Sequence, residues 1–315
     1  MIRAAWIIAF IVAALGILGA LITGPIILLP AALIPLCAGI GIRRGKAWSS
    51  WGFAIYSLCQ LLLIPLVLSR IRNPPEAAKL IGAAIWPLGL AVFFFLAGRR
   101  LAQRDYPRGS PFPWVILAAV TTVPLFFFEA FVVPTGAMEN TILVGDHLLV
   151  RVFPRAPAAR GDIFALIYPV DRKQTFIKRI VGIPGDRIRI SHKQLFVNGA
   201  PLNERYVVHK LDYEDSFRDD FPSEATAPIF PSASVMLAEN VVNGELIVPQ
   251  GKYFVLGDNR DQSLDSRYWG FVSDADLIGK PLFIYDSQDR NTEELTNPNG
   301  LPLSRTRWNR ILKRL

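Results

Sequence analysis

Apolar positions crowd the first 131 residues of the chain, and mixed polar and apolar positions make up the rest. Residues 4–42 carry no charged side chain. That run is about twice the roughly 20 residues that cross a ~30 Å hydrocarbon core. Thr23-Gly24-Pro25 is its natural break, because Gly and Pro punctuate helices. The pattern therefore predicts spans over 4–22 and 25–42, and three more over 48–69, 80–98 and 113–131. The opening run continues past the length of a signal-peptide core and offers no convincing cleavage site, so it is read as a span.

From Val132 the pattern shortens to alternating stretches broken by Gly, Pro and Asp. Strands are expected over 147–152, 163–168, 175–181, 187–190, 194–197, 253–256 and 282–285. Asn198-Gly199 marks a type I′ hairpin. Little helical periodicity is visible, so the second half is expected to be mostly β, with coiled antiparallel sheets. Residues 203–249 stand out as a loop-rich insertion. Its acidic stretch (Asp212, Glu214, Asp215, Asp219, Asp220, Glu224) is expected to be a solvated loop, with a cap or partner surface as the other reading. The tail carries Trp308, Ile311, Leu312 and Leu315 at helical spacing among basic residues. It predicts an amphipathic helix over 305–315 that touches anionic lipid, with a disordered basic tail as the other reading.

The net charge of +8 would suggest nucleic acid in a soluble protein. Here the cations lie between apolar segments, where topology and anionic lipid account for them. With the N-terminus cytoplasmic, the inner segments hold Arg3, Arg43, Arg44, Lys46, Arg99, Arg100, Arg104 and Arg108, and the outer ones Arg70, Arg72 and Lys79. That asymmetry favours N-in, and five crossings then place the β half outside the cytoplasm. The two cysteines, Cys37 and Cys59, lie in apolar segments and provide no disulfide framework. No zinc spacing, phosphate loop or nucleic-acid platform is present, so neither metal nor cofactor nor nucleic acid is expected.

Four segments carry candidate chemistry. They are Pro134-Thr135-Gly136-Ala137-Met138-Glu139-Asn140-Thr141-Ile142 with Gly145-Asp146, then Arg160-Gly161-Asp162-Ile163, then Phe176 to Asp186 around Lys178, and finally Gly257 to Phe271. Each alone has a structural explanation as a turn, a solvent-facing lysine or a salt-bridged loop. Together, in this order and directly after an apolar span, they resemble bacterial type I signal peptidases from about Phe131 to Tyr285.

The resemblance implies a membrane-bound Ser/Lys-dyad endopeptidase with a signal-peptidase-like β domain. It also implies a site in the bacterial inner membrane, with the peptidase domain on the extracytoplasmic side. Position 137 corresponds to the nucleophilic Ser of the family and is Ala here. Lys178 corresponds to the general base, Thr135 to an oxyanion-hole hydroxyl acting with the backbone N–H of residue 137, and Ser263 to the Ser that orients the Lys. Asp265 and Arg267 correspond to residues that brace the loop. Burial favours a neutral amine, so a Lys serves as base without His, and His147, His192 and His209 lie outside these roles. By motif position Phe131, Val133, Met138, Ile142, Phe176 and Ile177 line pockets for small side chains, although each also suits ordinary strand core. The implied partners are signal peptides of exported preproteins, cleaved after a small-x-small pattern, and membrane lipid. An Ala nucleophile position implies an inactive chain, either by a Ser-to-Ala substitution of an active enzyme or, alternatively, as a natural non-catalytic signal-peptide-binding protein. The retained Lys178 and Ser263 favour the substitution.

Overall fold

The computed structural model describes residues 2–23, 29–62, 85–103, 116, 127–154, 157–223, 229–289 and 305–315. The chain divides into two compact units, Met1–Phe126 and Phe127–Leu315.

The first unit contains, among the described residues, helices α1 (Ile2–Thr23), α2 (Leu29–Arg43), α3 (Ala47–Leu62) and α4 (Ile85–Ala102). Helix α1 packs on α2, and α3 on α4. Small residues such as Ala5, Ala9, Ala38 and Ala97 are buried and let the helices approach closely. Phe53 meets Phe94 edge-to-face at 4.6 Å, and Ser50 Oγ donates to the Phe94 carbonyl at 2.6 Å. The outer faces are also apolar, exposing Ile7, Ile11, Leu88, Val92 and Phe95. The described part of this unit holds no acidic residue, while Arg3, Arg43, Arg44, Lys46, Arg99 and Arg100 are all exposed. No helix among the described residues is long and apolar enough to cross a membrane. These helices overlap the first four expected spans. Most of the fifth lies outside the described residues, and its end is corrected: residues 128–131 belong to a β-strand. Phe128–Val132 extends because it pairs residue for residue with a neighbouring strand, from Phe128↔Arg151 to Val132↔His147.

The second unit is mostly β. One sheet runs in the order β1 (Phe128–Val132), β2 (Asp146–Arg151), β12 (Leu277–Asp289), β3 (Ile163–Ile167), β4 (Thr175–Gly182), β10 (Lys252–Leu256), β11 (Val272–Ser273), with β13 (Arg305–Thr306) paired to β12. A second sheet runs β7 (Ala200–Pro201), β6 (Gln194–Val197), β5 (Arg187–Ser191), β9 (Glu245–Ile247), β8 (Val241–Val242). Every pairing between these strands is antiparallel. The long strand β12 pairs β3 at its start and β2 further on, and its register shifts between Leu277 and Gly279, Pro281 and Phe283, and Ile284 and Asp286. Such irregularities bend and twist a strand, so β12 coils the sheet. Asn198 and Gly199 have φ of 53° and 79°, the geometry a type I′ turn needs.

Two expectations are corrected here. The 203–249 stretch is not simply loop: it holds α5 (Pro231–Asn240), β8 and β9. Its acidic part is only partly solvated: Asp212 and Glu214 are exposed, Asp215 and Asp220 half-buried and Asp219 buried, while Glu224 lies outside the described residues. Phe217 and Phe221 are buried against Phe254 and Tyr268, and buried Asp219 is held by Arg218 at 2.6 Å. The aromatic burial draws the stretch inward, and the arginine makes a buried carboxylate tolerable. The tail is not an amphipathic helix either. It is strand β13, a 3-10 turn at Trp308–Arg310 and an extended end bonded to β12 through Leu312 N–H to Ile284 O (2.7 Å). Arg310 clamps fully buried Asp146 at 2.6 Å, and Arg307 donates to Ser287 Oγ at 2.9 Å. These bonds outweigh a two-turn helix, which is marginal by itself.

Arg310→Ala strips buried Asp146 of its nearest cation, leaving Arg307 3.6 Å away. The change is expected to destabilise the β unit by about 2 kcal/mol, because a buried carboxylate loses its partner. A denaturant midpoint unchanged from the parent chain contradicts that role for the tail.

Candidate active site

Strand β4 carries two successive cations in an apolar run, and strand alternation sends them to opposite faces. Lys178 lies opposite Phe164 of β3, and Arg179 opposite Ile163. Lys178 is 3% exposed, with its Nζ 5.7 Å from the Phe176 ring centroid. It donates to Ser263 Oγ at 2.8 Å. Burial pulls its pKa from the ordinary 10.5 to about 8, partly opposed by Asp265 and Asp258 and assisted by Arg267.

The nearby carboxylates are already taken. Asp265 accepts from Arg267 Nε at 2.9 Å and Nη2 at 2.8 Å and from Gly257 N–H at 3.1 Å. Burial raises its pKa, but Arg267 and these bonds leave it below the usual carboxylate value. Arg267 also donates to the carbonyls of Arg260 (2.7 Å) and Arg218 (3.2 Å), so the pair braces the loop between β10 and helix α6 (Ser266–Trp269). Asp258 is held by Arg179 through two bonds of 2.8 and 2.6 Å.

The segment with Ala137 is a 3-10 turn, Gly136–Met138, following extended Thr135. It is pinned to the Ser263 loop. Asn259 donates from its backbone to the Ala137 carbonyl (3.1 Å) and from its side chain to the Gly136 carbonyl (3.1 Å). Thr141 Oγ1 donates to Asp258 at 2.6 Å. Gly257 sits where these loops meet: a Cβ there would lie 2.2 Å from Ser263 Oγ and 2.4 Å from the Ala137 carbonyl oxygen. Only a glycine fits so close an approach.

Ala137, Lys178 and Thr135 line one cavity of about 350 Å³, a size typical of ligand pockets. All six residues expected to form pockets, Phe131, Val133, Met138, Ile142, Phe176 and Ile177, line it too. Val133, Met138 and Ile142 are at the same time part of a buried core cluster, so the core and pocket readings both hold for them. Ser263, Asp265 and Arg267 stand behind the cavity rather than in its wall. Sequence reasoning left Arg179, Asp258, Asn259 and Thr141 without roles, and Gln262 and Leu264 unassigned in the wall. The tandem Lys178-Arg179 was the available signal, since with one cation buried on each face of the strand the arginine needs its own acid.

Among the described residues two side-chain groups bring three potential ligand atoms within 4.8 Å of one another, His192–Glu214–Asp220 and His209–Asp219–Asp261. Arg218 and Lys193 crowd the second, and neither group lines the cavity.

A family profile described as signal peptidase, peptidase S26, matches residues 111–285, more than half of the chain. The chain belongs to the signal peptidase S26 family. The signal peptidase I of Buchnera aphidicola subsp. Acyrthosiphon pisum (strain APS) is 30% identical over 247 residues, covering 60% of this chain and 77% of its own. That of Bacillus caldolyticus is 34% identical, covering 59% and 94%. A crystal structure of a signal peptidase I from Enterococcus faecalis V583 is 32% identical, covers 40% of this chain and 97% of its own, and has a TM-score of 0.31. The stretch matched to the S26 family contains every residue of the cavity wall and of the Lys178 surroundings. Arg307 and Arg310 lie beyond it.

An amine depressed from 10.5 to about 8 costs folding free energy wherever the unfolded chain binds the extra proton. That cost is fully present below about pH 8 and is gone above about 10.5. Lys178→Met is therefore expected to be more stable than the parent near pH 7, by up to about 3 kcal/mol. The gap should close as pH rises through that window. Parallel stability curves from pH 7 to pH 10.5 would contradict a desolvated amine.

Proposed function

We propose that this chain is a signal peptidase whose nucleophile position is occupied by Ala137, and that it binds signal peptides without cleaving them. The single observation behind this is the shared cavity. A dry amine, Lys178, opens with Ala137 onto an apolar pocket and is oriented by Ser263.

In the active arrangement a serine at 137 would attack the scissile carbonyl. Lys178 takes its proton, since about one amine in ten is neutral a unit below the pKa. The Thr135 hydroxyl and the backbone N–H of residue 137 meet the charge that builds on the carbonyl oxygen. The Ala137 methyl has no lone pair, and loss of a serine nucleophile costs about 10⁶ in turnover.

The pocket's shallow apolar wall suits small side chains of a small-x-small cleavage motif. Strand β1 ends its sheet path, and an extended peptide laid beside it is held by main-chain bonds that demand little sequence. The first unit we place in the bacterial inner membrane, with Arg3, Arg43, Arg44, Lys46, Arg99 and Arg100 toward the cytoplasm and the β unit extracytoplasmic. Its apolar exterior and its lack of acidic side chains among the described residues support that placement.

Ala137→Ser is expected to cleave a model preprotein after its small-x-small site, and the added Lys178→Ala change is expected to abolish cleavage. The kcat/KM of Ala137→Ser should climb about tenfold per pH unit below about pH 8 and level off above it. If Ala137→Ser binds signal peptide yet leaves it intact at every pH, the alternative of a natural non-catalytic binding protein takes over.

A further inference from the structure

The start of the 203–249 stretch lies across the loop that carries Ser263. Glu204 pairs with Arg260 through bonds of 2.6 and 2.9 Å, and both side chains are buried. The Tyr206 hydroxyl donates to Glu204 Oε1 at 2.8 Å, and its ring centroid is 3.7 Å from the Arg179 guanidinium carbon. Val208 bridges Asn259 in parallel: its N–H donates to the Asp258 carbonyl (2.9 Å), and its carbonyl accepts from Arg260 N–H (3.1 Å). Leu211 N–H donates to Asp261 Oδ2 at 2.8 Å, and His209 Nδ1 lies 3.2 Å from Asp261 Oδ1. Lys210 reaches over to Glu139, 2.6 Å away, in the loop that follows Ala137.

We infer that residues 204–211 are a strap belonging to the catalytic apparatus, with Glu204 and Tyr206 as positioning residues that keep Ser263 on the Lys178 amine and keep water away from it. The inference rests on the assignment of Lys178 as the base.

The geometry argues this in two steps. The loop from Gly257 to Ser263 has a three-residue 3-10 turn as its regular structure. Backbone bonds from Val208 and Leu211 grip Asp258, Arg260 and Asp261 in succession and stand in for a neighbouring strand. Ser263 follows two residues later, so its hydroxyl inherits its position from the gripped segment. The second step concerns charge. The amine is faced by Asp258 of this loop and by Asp265 and Arg267 at the start of α6, and Arg179 from its own strand holds Asp258. Tyr206 covers Arg179, and Glu204 holds Arg260, whose Nε donates to the Gly257 carbonyl at 3.1 Å. Loosening the strap frees the loop, admits water to the amine and returns it toward an ordinary lysine. Tyr206 and Glu204 do not line the cavity and act through Arg179 and Arg260.

The test uses the full chain as it stands. Lys178 is reductively methylated with formaldehyde and cyanoborohydride across pH, and its modification is followed by peptide mass spectrometry. The midpoint of its reactivity is expected near pH 8 in the parent. Glu204→Gln should move that midpoint up by about one unit or more, since hydration favours the ammonium form. Tyr206→Leu, which removes both the hydroxyl bond and the cover over Arg179, should move it the same way if Glu204→Gln folds poorly. Exposed Arg189→Ala, on β5 and outside the strap, should leave it in place. An unmoved midpoint in a cooperatively folding Glu204→Gln or Tyr206→Leu chain overturns the strap, as does an equal shift in Arg189→Ala. In the Ala137→Ser background, Glu204→Gln should lower kcat at pH 7 by about tenfold while KM stays within about threefold, with recovery at alkaline pH. An equal loss at every pH also overturns the proposal. Should Ala137→Ser fail to cleave anything, the peptidase reading falls, and the methylation midpoints still decide the strap.

Discussion

Lys178 Nζ is buried beside two carboxylates, and a guanidinium already holds each of them. Arg267 occupies Asp265 and Arg179 occupies Asp258. The amine is left with a neutral hydroxyl, Ser263, as its partner. A buried ammonium with a carboxylate of its own would keep its proton and be useless as a base. Desolvation without that compensation lets the neutral form compete near physiological pH. Much of the surrounding structure can be understood as the means of keeping this balance.

The balance is demanding because buried arginines and aspartates are stable only when fully paired. Arg179 therefore spends its donors on Asp258 and the Gly161 carbonyl (2.7 Å), and Arg267 spends its own on Asp265 and two carbonyls. Each pair joins elements far apart in sequence. The Asp258 cluster draws the Ala137 turn, strand β4 and the Ser263 loop to one point through Thr141, Arg179 and Asn259. The charges that must be neutralised for folding are the same ones that set the site's geometry, so stability and preorganisation have a common origin. The coiling of β12 has a related effect. Its register shifts bring β2 and β3 into one sheet, and residues following β1 and those on β4 line one cavity.

Ala137 opens onto the same apolar-walled cavity as the Lys178 amine that Ser263 orients. The Ala137 carbonyl is still held by Asn259, so the turn keeps its position through backbone contacts rather than through the side chain at 137.

Much of this was legible in the residues alone. Alternation located the strands that frame the site, Asn198-Gly199 marked the β6–β7 hairpin of the second sheet, and the four spaced segments pointed to the family and to Lys178, Ser263, Thr135 and position 137. These features are local: a strand pattern, a turn requirement or a motif lies within a dozen residues. What the tertiary structure decided was long-range. The acidic stretch around Asp219 read as solvent-facing, and the basic tail at Arg307 and Arg310 as lipid-facing, because charge alone says so. Yet Phe217 and Phe221 carry the first into the core, and Asp146, more than 160 residues upstream of Arg310, draws in the second. The placing of residues 204–211 over the Ser263 loop is of the same kind. Whether a charged side chain faces water or a buried partner depends on what the fold brings opposite it, and sequence spacing holds no record of that pairing.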